Sequence, residues 1–369
     1  MTVLPPPSNA PAFRARLLEW FKIRKRALPW RETPDPYRIW VSEIMLQQTT
    51  VKAVIPYYEA FLSVFPTVEA LAGSSLDEVL ARWSGLGYYT RARNLHAAAR
   101  SVLQDHQGRF PQRIEEALAL PGVGAYTAAA ILSIAYGVPA AVLDGNVARV
   151  LSRVRKVGGD LKSGAVMSRL RTLAGELLDP ESPGDHNQAM MELGATVCTP
   201  RSPACGDCPV SRECWAFRDG VVPDYPVPRV SAETRKETLA VAVLMRGRAV
   251  LLQQRHEGAG PMPGLWELPG LSLPSRRGNT PRTREDLETW LRSDVHPTAR
   301  VTEYAGEARH AIMNRRIRVL VFRGGLGNGV GPGKDRRWVE PETLGSFGTS
   351  SIVRKAMDVA FGKSVRGRK

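Results

Sequence analysis

The cysteines of this chain all lie in one short stretch. Cys198, Cys205, Cys208 and Cys214 are the only four in 369 residues. A secreted protein cross-linked by disulfides would scatter its cysteines, so this clustering indicates a reducing compartment and a bound metal. Four thiolates in a compact loop hold either zinc or a four-iron cluster. Structural zinc sites usually pair two close knuckles, whereas only Cys205 and Cys208 are that close here, which favours iron–sulfur.

The charge of the chain indicates a polyanionic partner. Lys and Arg total 51 against 36 Asp and Glu, which gives a net charge of +15 and a pI near 10.0. Nucleic acid and an anionic membrane surface are the two candidates. No stretch is long and apolar enough to span a bilayer, and the Pro-rich segment Met1–Phe13 has no apolar signal core. We therefore expect a disordered amino-terminal tail in a cytoplasmic protein.

Hydrophobic periodicity predicts that the first half is helical. Apolar residues recur three and four positions apart in a series of segments that Gly and Pro residues separate. The segments are Arg14–Lys25, Ile39–Gln48, Leu76–Trp83, Arg91–His106, Ile114–Leu120, Ala125–Tyr136, Val147–Val157 and Ala165–Leu178.

The pattern changes after Cys214. Three prolines between Asp219 and Arg229 predict a linker. Strand-like runs follow at Leu239–Met245, Ala249–Gln253 and Ile317–Phe322, around a helical stretch near Arg284–Leu291. The sequence therefore predicts a mainly α domain and a separate α+β domain. The predicted boundaries are 1–11 for a disordered tail, 12–218 for the helical domain, 219–236 for the linker, 237–362 for the α+β domain and 363–369 for a basic tail.

A glycine turn and two carboxylates stand out in the helical half. Two glycines in Leu120-Pro121-Gly122-Val123-Gly124 form a turn before a helix, where backbone N–H groups can approach a phosphate. Asp144 stands at a predicted helix start, where it either caps the helix or takes part in chemistry. Glu43 is the only charge in the run Trp40–Leu46, and a buried Glu is either ion-paired or held protonated for use.

Together these motifs resemble the adenine-excising MutY type of DNA glycosylase, within the endonuclease III superfamily. The glycine turn resembles the helix–hairpin–helix motif of that superfamily, and the cysteine spacing resembles its [4Fe–4S] loop. The resemblance covers residues 12 to 216, and the motifs occur in the family's order. They are Leu28-Pro29-Trp30-Arg31, the run from Glu43 to Thr49, Gly85-Leu86-Gly87-Tyr88-Tyr89, the hairpin, Asp144 and the cysteine loop.

The resemblance implies roles for the two carboxylates. Cleaving an N-glycosidic bond needs an acid for the leaving base and a carboxylate to face positive charge on the sugar. By resemblance, Glu43 is the general acid toward adenine N7 and Asp144 is the carboxylate at C1′. Asn146 would support them as a hydrogen-bonding residue. Bifunctional relatives carry a lysine where this chain has Tyr126, so a monofunctional enzyme is implied.

The resemblance also implies how the chain holds a duplex from which adenine has been flipped. Gly122, Val123 and Gly124 would bind a DNA phosphate, and Gln48 and Tyr88 would wedge into the duplex. Considered alone, Trp30 and Leu46 would be assigned to ordinary core packing. The residues expected to bind the substrate are Arg26, Leu28, Trp30, Arg31, Leu46, Gln47, Gln48, Thr49, Leu86, Tyr88 and Gln188.

The α+β half resembles the Nudix-like lesion-recognition domain of the same family. The segment Met262–Gly270 resembles the entry to a Nudix fold. Counting the hydrolase motif from Gly270 places Arg276 and Thr289 where metal-binding carboxylates belong. Metal-dependent pyrophosphate hydrolysis is therefore not expected, and Glu285 and Glu288 are expected to be solvated helix charges.

A short segment near position 310 matches the family's lesion-sensing loop, H-x-F-S/T-H. The segment is His310-Ala311-Ile312-Met313-Asn314, in which only the first histidine is kept. By resemblance, His310, Ile312, Met313 and Asn314 are expected to contact 8-oxoguanine, with a weakened preference for the lesion.

The expected function is that of an adenine DNA glycosylase with a [4Fe–4S] cluster, acting on A·8-oxoguanine and A·G pairs in duplex DNA. The resemblance also implies a nucleoid-associated monomer with no membrane partner. One alternative is a pyrimidine-specific glycosylase/lyase, against which Tyr126 and the second domain argue. The other is a non-catalytic DNA-binding module, against which the presence of both Glu43 and Asp144 argues. Adenine excision from an A·8-oxoguanine duplex distinguishes all three.

Overall fold

The computed structural model describes residues 9–227, 233–256, 264–274, 278–312, 314–327 and 335–362. The chain divides into two compact units, one of Met1–Gly73 with Asn94–Val230 and one of Ser74–Arg93 with Ser231–Lys369. The segment Ser74–Arg93, which the sequence assigns to the helical domain, thus groups with the second unit. The domain boundaries given above stay predictions.

The elements of the described residues follow one another in two blocks. The helices are α1 (Ala10–Arg24), α2 (Pro36–Leu46), α3 (Val51–Val64), α4 (Val68–Gly73), α5 (Leu76–Trp83), α6 (Thr90–Asp105), α7 (Ile114–Ala119), α8 (Ala125–Tyr136), α9 (Gly145–Arg155), α10 (Gly164–Leu177), α11 (Pro183–Thr196), α12 (Trp215–Arg218), α13 (Pro281–Asp294) and α14 (Ser351–Phe361). The strands are β1 (Arg235–Arg246), β2 (Ala249–Gln254), β3 (Trp266–Glu267), β4 (Gly270–Leu273), β5 (Arg300–Ile312), β6 (Arg315–Gly325) and β7 (Arg336–Val339).

Local signals set where several helices begin. Asp35 accepts a hydrogen bond from the second residue of α2, which has proline at its first position. Ser75 and Glu78 form a reciprocal capping box at the start of α5. Asp144 caps α9 by accepting from Val147 N. The eight helices predicted from periodicity are all present, within a few residues at their ends.

Helices α3, α4 and α11 were not predicted. Pro56 lies inside α3, where proline normally ends a helix, and α4 has only 6 residues. Helix α11 begins with proline and glycine, and it carries a polar first turn. Their apolar faces are completed by tertiary packing, which the local pattern does not display.

The core of the helical unit forms around α1. Phe13, Leu17 and Phe21, spaced four residues apart, are buried against α9, α10 and α11. Burial of such large side chains contributes about 1.5–3 kcal/mol each. This packing fixes α9 and α11 relative to each other, and both helices carry residues of the candidate site.

The second unit contains a mixed sheet with the strand order β3-β2-β1-β6-β5, to which β4 and β7 add through β1 and β2. Strands β1 and β6 are parallel, and the other pairs are antiparallel. Val241 and Val319 face α14 on one side of the sheet, while Ala242 and Leu320 face α13 on the other. The predicted α+β character is confirmed.

Two expectations for the second unit need correction. The segment expected to be a lesion-sensing loop is partly strand, because His310 and Ile312 belong to β5 and pair with β6. Register shifts near Val301 and Tyr304 interrupt the alternation that would have revealed this strand. Glu288 is not merely solvated, since it accepts from Val301 N at 2.9 Å and pairs with Arg292 at 2.6 Å.

None of the helices in the described residues is long and apolar enough to cross a membrane.

The close approach of α11 to α8 generates a stability prediction. A Cβ added at Gly184 would lie 2.6 Å from the carbonyl oxygen of Ser133 and 2.9 Å from Cα of Ile134. Backbone atoms cannot move aside, so Gly184→Ala should lower the free energy of unfolding by about 1–3 kcal/mol. Urea unfolding followed by circular dichroism measures the loss.

Gly175 in α10 is the matched control, because nothing lies within 4 Å of its added Cβ. Gly175→Ala should leave stability unchanged or raise it by about 0.5–1 kcal/mol. Equal unfolding midpoints for the two variants would show that α8 and α11 are not closely packed.

Candidate active site and cluster loop

One cavity of the helical unit collects the predicted catalytic residues. It has a volume of about 710 Å³ and lies among α2, α8, α9 and α11. The predicted residues that line it are Arg26, Leu28, Trp30, Arg31, Glu43, Leu46, Gln47, Gln48, Thr49, Tyr126, Asp144, Asn146 and Gln188. Trp30 also packs edge-on against Tyr58, with ring centroids 5.4 Å apart, so it is a core residue as well.

Glu43 is buried in the cavity wall. Most of the residues around it in α2 are apolar, and only 4% of its surface is exposed. The Tyr126 hydroxyl lies 2.8 Å from Glu43 Oε2. Burial raises the pKa of Glu43 to about 7, with Asp144 adding to the rise, while the Tyr126 hydrogen bond and the Arg31 charge oppose it. Among the described residues no cation lies within salt-bridge distance of Glu43, so the ion-pair alternative does not apply.

Asp144 has a different environment, because backbone and amide N–H groups surround it. Val147 N donates to Oδ1 at 2.7 Å, and Asn146 Nδ2 donates to Oδ2 at 3.1 Å. Burial raises the pKa of Asp144, while these hydrogen bonds and the charge of Arg149 oppose the rise. Asp144 is therefore both the cap of α9 and a lining residue of the cavity.

The floor of the cavity contains an ion-pair network centred on Glu192. Arg26 Nε lies 2.7 Å from Glu192 Oε1, and Arg31 Nη2 lies 3.0 Å from Oε2. Burial works against ionisation of Glu192, but the two arginines outweigh it and lower the pKa of the carboxyl. Arg31 Nε also donates to Gln188 Oε1 at 3.1 Å, which orients that amide in the cavity wall.

Among the lining residues that sequence reasoning missed, Arg149, Met191 and Glu192 form side-chain hydrogen bonds with the predicted ones. Arg149 follows Asn146 by one helical turn, and Glu192 follows Gln188 in the same way. This spacing was the available signal once Asn146 and Gln188 had been chosen. It was not usable for Glu192, because α11 itself was not predicted.

Arg149 connects the cavity to the cysteine loop. Its Nη2 donates to Asn146 Oδ1 at 2.9 Å and to Gly194 O at 2.8 Å, and its Nε donates to Cys198 O at 2.8 Å. The chain of contacts therefore runs from Asp144 through Asn146 and Arg149 to the first cysteine. Helix α9 carries the middle of this chain.

The four cysteines surround a single apolar cavity, whose lining includes Val150, Leu193 and Val210. Arg153 Nη1 lies 3.3 Å from Cys198 Sγ and also donates to Thr199 O at 2.7 Å. Four thiol donors around an apolar space, with an arginine beside one sulfur, fit an iron–sulfur cluster. No three His, Cys, Asp or Glu side chains of the described residues lie close enough to ligate one metal ion.

The predicted hairpin lies between α7 and α8. Gly122 has φ of +76°, and an added Cβ would lie 2.6 Å from Asn94 Cβ, so both conformation and space require glycine. Val123 N donates to Leu120 O at 3.1 Å, which closes the turn, and Gly124 caps α8. Phosphate binding at this turn stays a prediction.

The remaining predicted residues belong to the second unit. Leu86 is buried, whereas Tyr88 is exposed. His310 and Ile312 lie in β5, and Asn314 lies in the turn before β6. Met313 lies outside the described residues.

Both predicted wedge residues have unusual backbone conformations. Gln48 has φ of +58° and Tyr88 has φ of +51°, which non-glycine residues seldom adopt. Such strain is often found at functional sites.

Comparisons with known proteins agree with this arrangement. A model of the HhH-GPD superfamily of base excision DNA repair proteins matches residues 41–175, and the iron–sulfur binding domain of endonuclease III matches residues 198–214. A NUDIX domain model matches residues 240–359. The structure of a thermostable thymine-DNA glycosylase is 31% identical, with a TM-score of 0.51, over 57% of this chain and 97% of that one.

The helical fold, the hairpin and the cluster loop define a base-excision DNA N-glycosylase that carries a [4Fe–4S] cluster. Adenine DNA glycosylase of Homo sapiens is 36% identical over 95% of this chain and 74% of that protein. The enzyme of that name from Arabidopsis thaliana is 34% identical over 93% of this chain and 63% of that protein. The chain belongs to the adenine DNA glycosylase family.

The cysteine loop generates a prediction about cofactor content. Purified protein should be brown and should contain iron and acid-labile sulfide in equal amounts. Cys208→Ser should lower both contents and weaken DNA binding, because the loop loses one ligand.

Ser211→Ala is the matched control, because it changes a non-ligand in the same loop and should leave iron content unchanged. Elemental analysis of the two variants and the parent decides the matter. One zinc per chain with no iron would contradict the cluster assignment.

Proposed function

We propose that this enzyme excises adenine paired with 8-oxoguanine or guanine in duplex DNA, using Glu43 as general acid and Asp144 as the carboxylate facing C1′. The observation that carries the proposal is one cavity lined by the buried carboxyl of Glu43 and the half-buried carboxyl of Asp144, which have contrasting surroundings. Glu43 is desolvated and accepts one hydrogen bond from the Tyr126 phenol, whereas Asp144 accepts two N–H hydrogen bonds. Such divergent environments separate an acid from a carboxylate.

Glu43 is suited to transfer a proton near neutral pH. Its pKa is raised to about 7, and an acid with a pKa near the working pH combines availability with driving force. In the proposed reaction Glu43 protonates adenine N7, and the electron pair of the C1′–N9 bond leaves with the base. Water then adds to C1′ and its proton returns to Glu43, which completes a hydrolysis.

Asp144 is suited to remain ionised beside the sugar. The N–H groups of Val147 and Asn146 point at its two oxygens and stabilise the charged form. A fixed carboxylate in a site of low dielectric constant stabilises developing positive charge more strongly than one in solution. Arg149 holds Asn146 by its Oδ1, so Asn146 presents its N–H groups to Asp144.

Tyr126 argues for monofunctional action. Its hydroxyl lies 2.8 Å from Glu43 Oε2 and 3.1 Å from Met191 Sδ, so it can donate to either. The described residues lining the cavity include no lysine that would form a Schiff base.

Asn314 supports a preference for 8-oxoguanine. Its Nδ2 donates to Glu233 O at 3.0 Å, which leaves Oδ1 as the acceptor facing away from that bond. Guanine N7 is an acceptor, whereas N7 of 8-oxoguanine carries a hydrogen and donates. An acceptor at this turn therefore favours the lesion over guanine.

The test of the chemical proposal is Glu43→Gln, which keeps the shape of the side chain and removes the proton. Single-turnover adenine release from an A·G duplex should fall by about 10²-fold or more, while duplex affinity is kept. In the parent, release should decline as pH rises through about 7, because Glu43 loses its proton there. Products are scored with and without alkaline cleavage, since a monofunctional enzyme leaves the strand intact.

Tyr126→Phe is the matched variant for the pH profile. In the parent, the hydrogen bond from Tyr126 lowers the pKa of Glu43. Tyr126→Phe removes this bond, so the pH at which adenine release declines should be higher in the variant. The proposal is wrong if Glu43→Gln retains release within about tenfold of the parent, or if the limb moves to lower pH in Tyr126→Phe.

The lesion preference is tested separately at Asn314. Asn314→Ala should reduce the ratio of excision rates for A·8-oxoguanine and A·G pairs by about twofold to tenfold, the worth of one hydrogen bond. Asn279→Ala, an exposed change in the same unit, should leave this ratio unchanged. Equal ratios in the parent and Asn314→Ala would show that this turn does not read the lesion.

A further inference from the structure

Tyr88 combines exposure with a strained backbone. Its side chain is 41% exposed, and its φ of +51° follows φ of +74° at Gly87. An isolated tyrosine would relax from the left-handed region and swing among several side-chain rotamers. Some other group must therefore hold it in this conformation.

That group is Arg91, one turn further along the chain. The guanidinium carbon lies 5.5 Å from the centre of the Tyr88 ring and 5.4 Å from the Trp83 ring. Arg91 Nη2 also donates to Gly87 O at 3.2 Å, and Trp83 Nε1 donates to the same oxygen at 3.1 Å. Two aromatic rings and one carbonyl thus surround a single guanidinium.

The guanidinium is partly removed from water. Burial lowers the pKa of Arg91 to about 10, with Tyr88 opposing the change. A cation–π contact is stronger when the cation is desolvated, and a planar guanidinium can stack on a ring where an ammonium cannot. The Arg91 side chain is therefore placed to hold the Tyr88 ring in position.

We propose that Arg91 is a positioning residue that holds the Tyr88 side chain in the conformation in which it enters the duplex. The Trp83 ring packs against the guanidinium and supports it in this position. The inference rests on the wedge role expected for Tyr88 in the proposed function. A tyrosine that is already held in place loses little conformational entropy when it inserts between the base pairs of the duplex. Its insertion is therefore more favourable. Arg91 then affects base flipping only through Tyr88.

The experiment is a double-mutant cycle on the full-length holoenzyme. Flipping is followed by the fluorescence of 2-aminopurine placed beside the target adenine, and excision by single-turnover kinetics on an A·G duplex. Arg91→Met should slow both by about threefold to thirtyfold, the range expected for a desolvated cation–π contact. Arg91→Lys should be slowed as much, because the charge is kept and the plane is lost.

The decisive comparison uses Tyr88→Ala as the background. If Arg91 acts through Tyr88, adding Arg91→Met to Tyr88→Ala should cause no further loss. Additive losses would overturn the inference, because they would show that Arg91 acts elsewhere, for example on a phosphate. Tyr88→Ala with the parent's flipping rate would overturn the wedge role and the inference together, while Glu43→Gln still tests the chemistry independently.

Two further variants keep the inference testable if Arg91→Met does not fold. Tyr88→Leu alters an exposed side chain, keeps an apolar group at this position and removes the ring. It should therefore lose at least as much as Arg91→Met. Parent-like flipping in Tyr88→Leu would overturn the inference even if Arg91→Met failed to fold. Arg82→Met removes one exposed positive charge from α5 and should leave flipping unchanged.

Discussion

Glu43 lies in an apolar helix, and its carboxyl contacts a phenol instead of a cation. The surrounding packing favours the neutral form of this carboxyl. Its pKa of about 7 means that the protonated form is favoured by about 3 kcal/mol more than it is in an exposed Glu. Helices α2 and α8 must stay closely packed for this to hold. If water reached Oε2, the carboxyl would ionise near its usual pKa and the acid would be lost.

The second carboxylate depends on a different constraint. Asp144 is placed by α9, whose first N–H groups it caps. The same helix holds Cys198 through Arg149 and Arg153. The candidate active site and the cluster loop therefore share one helix. The close approach of Gly194 to Asn146, where an added Cβ would lie 2.8 Å from Asn146 Cβ, fixes this geometry from the side of α11.

Much of the site was predictable because its signals are local. The sequence shows four clustered cysteines, a glycine turn and a lone Glu in an apolar run. In the structure the cysteines line one cavity, the turn lies between α7 and α8, and Glu43 lines the candidate site. Helix α11 was not predictable, because its polar first turn hides an apolar face that only α1, α8 and α9 complete. Glu192 went unrecognised for that reason. Strand β5 was missed because its irregular register breaks the alternation, which is why His310 was expected in a loop.

The central claim is that Glu43 is half protonated near neutral pH in the resting holoenzyme. The most direct test is ¹³C NMR titration of side-chain-labelled glutamate, with Glu43→Gln used to assign the resonance. The account predicts a carboxyl that titrates at about 7 and disappears in the variant. A Glu43 resonance that titrates near the ordinary value of 4.5 would contradict it.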